Sequence, residues 1–164
     1  MSNLEEPNAV EVVTTPVGTS QFKIVAKATF NCAPEQIWKL LWDWEQLLAV
    51  GLPGVTENFQ WLNGSPDHIP SSFQFEIGGV IIKEEIYERK TKSVHRLRYR
   101  TLGPALGVVD YDAIIDLRPI SNRQTVFLAT RVVTFEPGVT PDMLADMVRS
   151  ETKNLQTYFS DSLP

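Results

Sequence analysis

The chain has 164 residues, 43% of them apolar and 21% charged, which suits one globular domain at roughly 150 residues per domain and excludes wholesale disorder or a fibrous repeat. Fifteen Lys plus Arg against twenty Asp plus Glu leave a formal charge of -5, the wrong sign for steering toward nucleic acid or anionic lipid. A single cysteine, Cys32, closes no internal disulfide, no Cys/His cluster has zinc spacing, and no apolar run approaches the roughly 18 residues that span a bilayer.

Residues 1–19 show no periodicity and carry Pro7, Pro16 and Gly18 among polar residues, so they are expected to form a flexible N-terminal arm outside the core. Glu5, Glu6 and Pro7 lack the basic-then-apolar pattern of a secretory leader, and a cytoplasmic protein is expected. From Phe22 to Phe30 apolar residues fall on alternate positions, the mark of a half-buried strand. Pro34 suits a first helical position, and Ile37, Leu40, Leu41, Trp44, Leu47 and Leu48 follow at helical spacing. This predicts one amphipathic helix or a broken pair, ending at Gly51-Leu52-Pro53-Gly54.

Six β-like runs separated by turn signals come next, at 55–62, 73–77, 80–89, 94–102, 108–117 and 125–135. Thr140-Pro141 then opens a long C-terminal helix with Leu144, Met147, Val148, Leu155, Tyr158 and Phe159 at spacings of three, four and seven. The expected class is α+β, a seven-stranded antiparallel sheet covered by the last helix.

Turn positions set the strand registers. A hairpin at Gly78-Gly79 places Phe73 beside Glu84. A turn at Thr91-Lys92 places Glu84 beside Tyr99, and a loop centred on Ala105 places Tyr99 beside Tyr111. A turn centred on Ser121 adds Arg131 beside Tyr111. Phe75, Ile82, Thr101 and Val109 flank this row on one side and Ile86, Leu97 and Ala113 on the other, so this face is the buried one. The opposite face pairs Arg98 with Asp112 and Arg100 with Asp110, which reads as a solvated surface rather than an RNA-binding patch.

Glu84 is thereby expected within an apolar face beside tyrosines. A buried carboxylate must be hydrogen-bonded, paired, protonated or open to water. Three roles follow: ordering the core through a Tyr–Glu hydrogen bond, orienting a ligand in a cavity, or serving as a catalytic acid or base. His68 and His95 read as surface histidines and Cys32 as a buried thiol, and no Ser or Cys nucleophile is arranged near either histidine. Neither glycine pair has the strand–loop–helix context of a phosphate loop. No catalytic, metal or cofactor site is therefore assigned. Met143, Leu144 and Met147 are expected at a cavity mouth.

The layout resembles the START-like helix-grip (SRPBCC) superfamily, and within it the polyketide cyclase/dehydrase and lipid-transport branch. The resemblance rests on Ala33-Pro34-Glu35-Gln36-Ile37-Trp38, the Gly78-Gly79 turn before Lys83-Glu84-Glu85-Ile86, Leu97-Arg98-Tyr99-Arg100, Val109-Asp110-Tyr111 and Thr134-Phe135-Glu136-Pro137-Gly138. It implies a single domain over 20–164, in which a curved seven-stranded sheet grips the C-terminal helix, with two short helices after the first strand and an apolar cavity between sheet and helix. It also implies binding of a lipid, polyketide or isoprenoid-like molecule; a monomer or weak homodimer is expected, and the charge and the lack of a long apolar run leave no nucleic-acid or integral membrane partner expected. A cyclase or aromatase activity using Glu84 and cavity tyrosines is the alternative. In the plant abscisic-acid receptors of this superfamily, the residues matching Glu84 and Tyr111 line the pocket, and a polar helix residue there falls near Thr152. The sequence departs from those receptors, because Gly51-Leu52-Pro53-Gly54 follows the first helices and His95-Arg96-Leu97 lies within a strand. The expected ligand-binding set is Phe73, Phe75, Ile82, Glu84, Tyr99, Val109, Tyr111, Arg131, Met147 and Thr152.

Overall fold

The alternation at Phe22–Phe30 is realised in a computed structural model, which describes residues 9–64 and 66–161, as a strand with Ile24, Ala26, Ala28 and Phe30 buried. In chain order the elements are β1 (Glu11–Pro16), β2 (Gln21–Phe30), α1 (Pro34–Trp42), α2 (Trp44–Gly51), β3 (Thr56–Asn63), β4 (Ser71–Ile77), β5 (Val80–Lys90), β6 (His95–Thr101), β7 (Val108–Ser121), β8 (Gln124–Phe135) and α3 (Asp142–Asp161). The strands form one sheet in the order β1-β2-β8-β7-β6-β5-β4-β3, every pair antiparallel.

Eight strands replace the expected seven, because part of the predicted arm pairs with β2 as β1. Residues 1–8 of that arm lie outside the described residues. An edge strand contacts the core on one side only, and in β1 just Val12 and Thr14 are half-buried. Six residues with that little apolar alternation leave a weak signal.

Asp43 separates the two short helices by capping the second, its side chain accepting from the Gln46 amide. The end of α1 is tied to β5 by Arg89, whose guanidinium lies 4.1 Å over the Trp42 ring and donates to the Leu41 and Pro66 carbonyls. Among the described residues no helix is long and apolar enough to cross a membrane.

The Phe73–Glu84 register is as expected. The next two are displaced by two residues, so that Glu84 opposes Thr101, Ile86 opposes Tyr99 and Tyr99 opposes Ala113. The β5–β6 connection spans residues 91–94 with Ser93 at φ 66°, longer than the predicted turn. A bulge at Tyr87 then takes up one residue. Longer loop and bulge together shift the pairing by an even number, and even shifts keep every side chain on its face. The row across the sheet is therefore Ser71, Ile86, Tyr99, Ala113, Arg131, Ile24. On the outer face Arg96 pairs with Asp116 (2.7 Å), Arg98 with Glu88 (3.1 Å) and Arg100 with Glu85 (3.2 Å), in place of the expected Arg98–Asp112 and Arg100–Asp110 pairs. The inner face packs on α3, which also lies against α2 and β1.

Candidate functional site

Four elements of the sheet supply the polar side chains and α3 supplies the last. Strand alternation turns Ile82, Glu84 and Ile86 of β5 to the inner face, Tyr99 of β6 with them, then Tyr111 of β7 and Arg131 of β8. On α3, Met147, Glu151 and Leu155 are spaced by four and share one stripe.

A cavity of about 390 Å³ lies between these strands and helices α2 and α3, within the roughly 300–1,000 Å³ usual for small-molecule sites. Its walls include Trp44 and Leu48 of α2, Phe75 of β4, Ile82 and Glu84 of β5, Tyr99, Tyr111, Ile115 and Phe127 of the central strands, and Leu144, Met147, Glu151 and Leu155 of α3. The rim is made by the β6–β7 loop and the start of α3, where Leu106, Val139 and Met143 are exposed. The loop tip is a two-residue turn. Ala105 and Val108 exchange both backbone hydrogen bonds, and Leu106 (φ 52°) and Gly107 (φ 77°) are both left-handed. Gly107 packs on Val139 and its carbonyl accepts from the Glu136 amide, which holds the loop against the β8–α3 connection.

At the polar end the Tyr99 and Tyr111 hydroxyls are 3.1 Å apart. Arg131 Nε donates to the Tyr111 hydroxyl, and a terminal guanidinium nitrogen donates to Glu151 Oε1 at 3.3 Å. Arg131 is only 1% exposed, stands behind the cavity wall and is the largest fully buried side chain. Two phenols that share one hydrogen bond leave one O–H group unspent. Glu84 is 9% exposed, lines the cavity and makes no side-chain hydrogen bond among the described residues.

The electrostatics follow from that burial. Burial first and the Glu151 charge second push the Glu84 carboxyl up to about 8, against the pull of Arg131. Burial also raises Glu151, which Arg131 opposes. Burial works against the charge on Arg131, yet Tyr111, Tyr99 and Glu151 together hold its pKa above the ordinary arginine value. Near neutrality the Glu84 carboxyl is thus a protonated donor, beside a guanidinium–carboxylate pair. Such a site can give a hydrogen bond or a proton to an oxygen, or surrender the proton to pair with a cation.

Of the expected set, Phe75, Ile82, Glu84, Tyr99, Tyr111 and Met147 line the cavity. Phe73 does not. It is fully buried in an aromatic stack with Phe59 and Trp61 of β3 and Trp44, ring centroids 5.4–5.5 Å away. Val109 is 46% exposed, because a bulge makes it the unpaired residue between Val108 and Asp110, and Val108 lines the cavity instead. Arg131 faces inward, opposite Ala113 rather than Tyr111, and acts on the cavity through its partners. Thr152 is buried with its hydroxyl donating to the Val148 carbonyl at 2.8 Å, and the polar helix residue at the wall is its neighbour Glu151. Glu151 lies midway between Met147 and Leu155, and a charge inside that apolar stripe was the available signal. Outside the site, burial pushes the Cys32 thiol up to about 11, which leaves it unreactive near neutrality.

Gly51, the last residue of α2, is buried against α3. Its carbonyl accepts from Asn154 Nδ2 at 2.9 Å, and a Cβ there would meet Glu151 Cγ at 2.9 Å.

Residues 21–160 match the family described as polyketide cyclase/dehydrase and lipid transport. No curated protein sequence matches the chain. Among solved structures, one of a Thermobifida fusca protein superposes with a TM-score of 0.71 at 17% identity, covering 85% of this chain and 93% of that one. Norcoclaurine synthase from Thalictrum flavum in complex with dopamine and hydroxybenzaldehyde gives 0.66 at 14% identity, covering 94% and 98%. A point mutant of that synthase with a transition-state analogue gives 0.64, also at 14%, covering 93% and 98%. At these identities the likeness is one of fold.

Proposed function

The chain belongs to the polyketide cyclase/dehydrase and lipid-transport family, and from that membership we propose that it binds or carries a small, largely apolar molecule between sheet and C-terminal helix. The observation that carries the reading is the cavity, apolar over most of its wall with a few polar groups gathered on one side. Lipid, polyketide and isoprenoid-like molecules all fit that description, and a cytoplasmic setting suits the absence of any internal disulfide. A synthase of the same fold solved with two small aromatic molecules supports the use of this space for ligands.

Native mass spectrometry of protein purified from its source is the test. A co-purifying apolar molecule is expected in the wild type, lost in Met147→Trp, which fills the cavity, and in the double variant Tyr111→Phe/Glu84→Ala. Retention by a folded Met147→Trp protein would overturn the reading.

One observation favours a catalytic alternative: Glu84 holds its proton near neutrality beside paired phenols. That arrangement suits general-acid assistance to a ketone in a cyclase or aromatase reaction. Turnover of poly-ketone substrates that Glu84→Gln left unchanged would reject it.

A further inference from the structure

The formal charges at the cavity wall indicate which polar end its ligand carries, an inference that rests on the ligand-binding reading above. Two lining side chains are ionisable acids, Glu84 and Glu151, and no Lys, Arg or His lines the cavity among the described residues. The nearby cation, Arg131, lies behind the wall, where two of its three nitrogens are engaged by Tyr111 and Glu151 and the third, Nη1, is buried without a partner among the described residues. Glu84 is nine-tenths buried, borders the empty space and has no side-chain hydrogen-bond partner among the described residues. A buried carboxyl group with no protein partner is left for the occupant of the cavity to satisfy.

We propose that the cavity takes a ligand with a cationic amine at its inner end and an apolar body, the ammonium group paired with the Glu84 carboxylate. The other titratable wall groups around that end are Tyr99 of β6, Tyr111 of β7 and Glu151 of α3, with Arg131 of β8 behind them, and Thr101 of β6, opposite Glu84, adds an uncharged hydroxyl. None of them adds a positive charge facing the amine.

Charge conservation favours this over the other two kinds of end group. In the empty cavity Glu84 is protonated and Arg131 is balanced by Glu151, so the enclosed charge is zero. When an ammonium enters, the Glu84 proton leaves to solvent, a second ion pair forms, and the enclosed charge is again zero. A carboxylate ligand would instead bring one uncompensated negative charge beside Glu151, and an unpaired buried charge is strongly disfavoured. An alcohol is neutral but forms no ion pair.

Three probes with one apolar body separate these cases by isothermal titration calorimetry at pH 7: 4-phenylbutylamine, 4-phenylbutanol and 4-phenylbutyrate. The amine is expected to bind about tenfold tighter than the alcohol, with the butyrate weakest. Repeating the titration in buffers of different ionisation enthalpy should show close to one proton released per amine bound and none per alcohol. In Glu84→Gln, checked for folding by circular dichroism, the amine should bind about tenfold more weakly than in the wild type and release no proton on binding. Alcohol or butyrate binding as tightly as the amine, or no proton release in the wild type, would overturn the amine assignment and leave cavity binding standing. Failure of all three probes to bind would overturn both.

Discussion

The two ends of the space beneath the sheet use similar apolar residues in opposite ways. At the end closed by the C-terminal half of α3, Phe30 stacks on Phe127 at 5.0 Å and on Phe159 at 5.6 Å, and Phe30 and Phe159 are almost wholly buried. At the other end the same helix presents Leu144 and Met147 to empty space, and Met143 is 85% exposed. Dispersion requires atoms on both sides of a contact, so a side chain facing a void loses part of its attraction. The first end therefore carries stability. The second carries a wall, and its polar groups hold one another in place behind it.

That contrast can be broken most directly at the packed end. Phe30→Ala should cost about 3–5 kcal/mol in chemical denaturation, because two rings lose a shared partner. A loss below 1 kcal/mol would show that this end is not the rigid one. Arg131→Ala should cost about 3 kcal/mol, since it leaves the buried Glu151 without its cation and takes one of two hydrogen-bond partners from the Tyr111 hydroxyl. The figure sits low in the usual range because the Glu151 side chain keeps 21% exposure. Adding Glu151→Gln should recover part of that loss.

The third expectation concerns pH. Glu84 has a raised pKa in the folded state, from 4.5 to about 8, so between those values the folded protein holds a proton that the unfolded chain has released. The Glu84 contribution to stability should therefore be fully present below about pH 4.5 and be lost as pH rises toward 8. Glu84→Gln should remove about 1–3 kcal/mol of that decline, read as denaturation midpoints at pH 5 and pH 8. An identical decline in wild type and variant would remove Glu84 as its source. The smallest effects belong to the rim, where Met143→Ala should leave stability within about 0.5 kcal/mol, measured the same way.

The same contrast explains what the sequence made legible. Alternation put Glu84, Tyr99, Tyr111 and Arg131 on one face even though three registers were displaced by two residues, because face depends on parity and exact pairing on loop length. The bulge that turned Val109 outward has no local signature in Gly107-Val108-Val109-Asp110, since bulges answer to neighbouring strands. Phe73 and Phe75 share a face and a residue type, and only the presence of Phe59 and Trp61 over Phe73 separates a packed ring from a lining one. Those contacts come from β3, which is remote from any pattern within β4. Glu151 was accessible from its helical stripe, whereas β1 was hidden by its position at the sheet edge.

Gly51 gives the cavity an adjustment point outside its own wall. A methyl group at that position would press on the stem of Glu151, and moving that stem changes how closely its carboxylate meets Arg131 and how strongly it repels the Glu84 charge. The polarity of the inner chamber is thus set partly by the spacing of α2 and α3 where Gly51 meets the Glu151 stem. Variation at residue 51 would retune what the chamber accepts from a position that is not itself part of its wall.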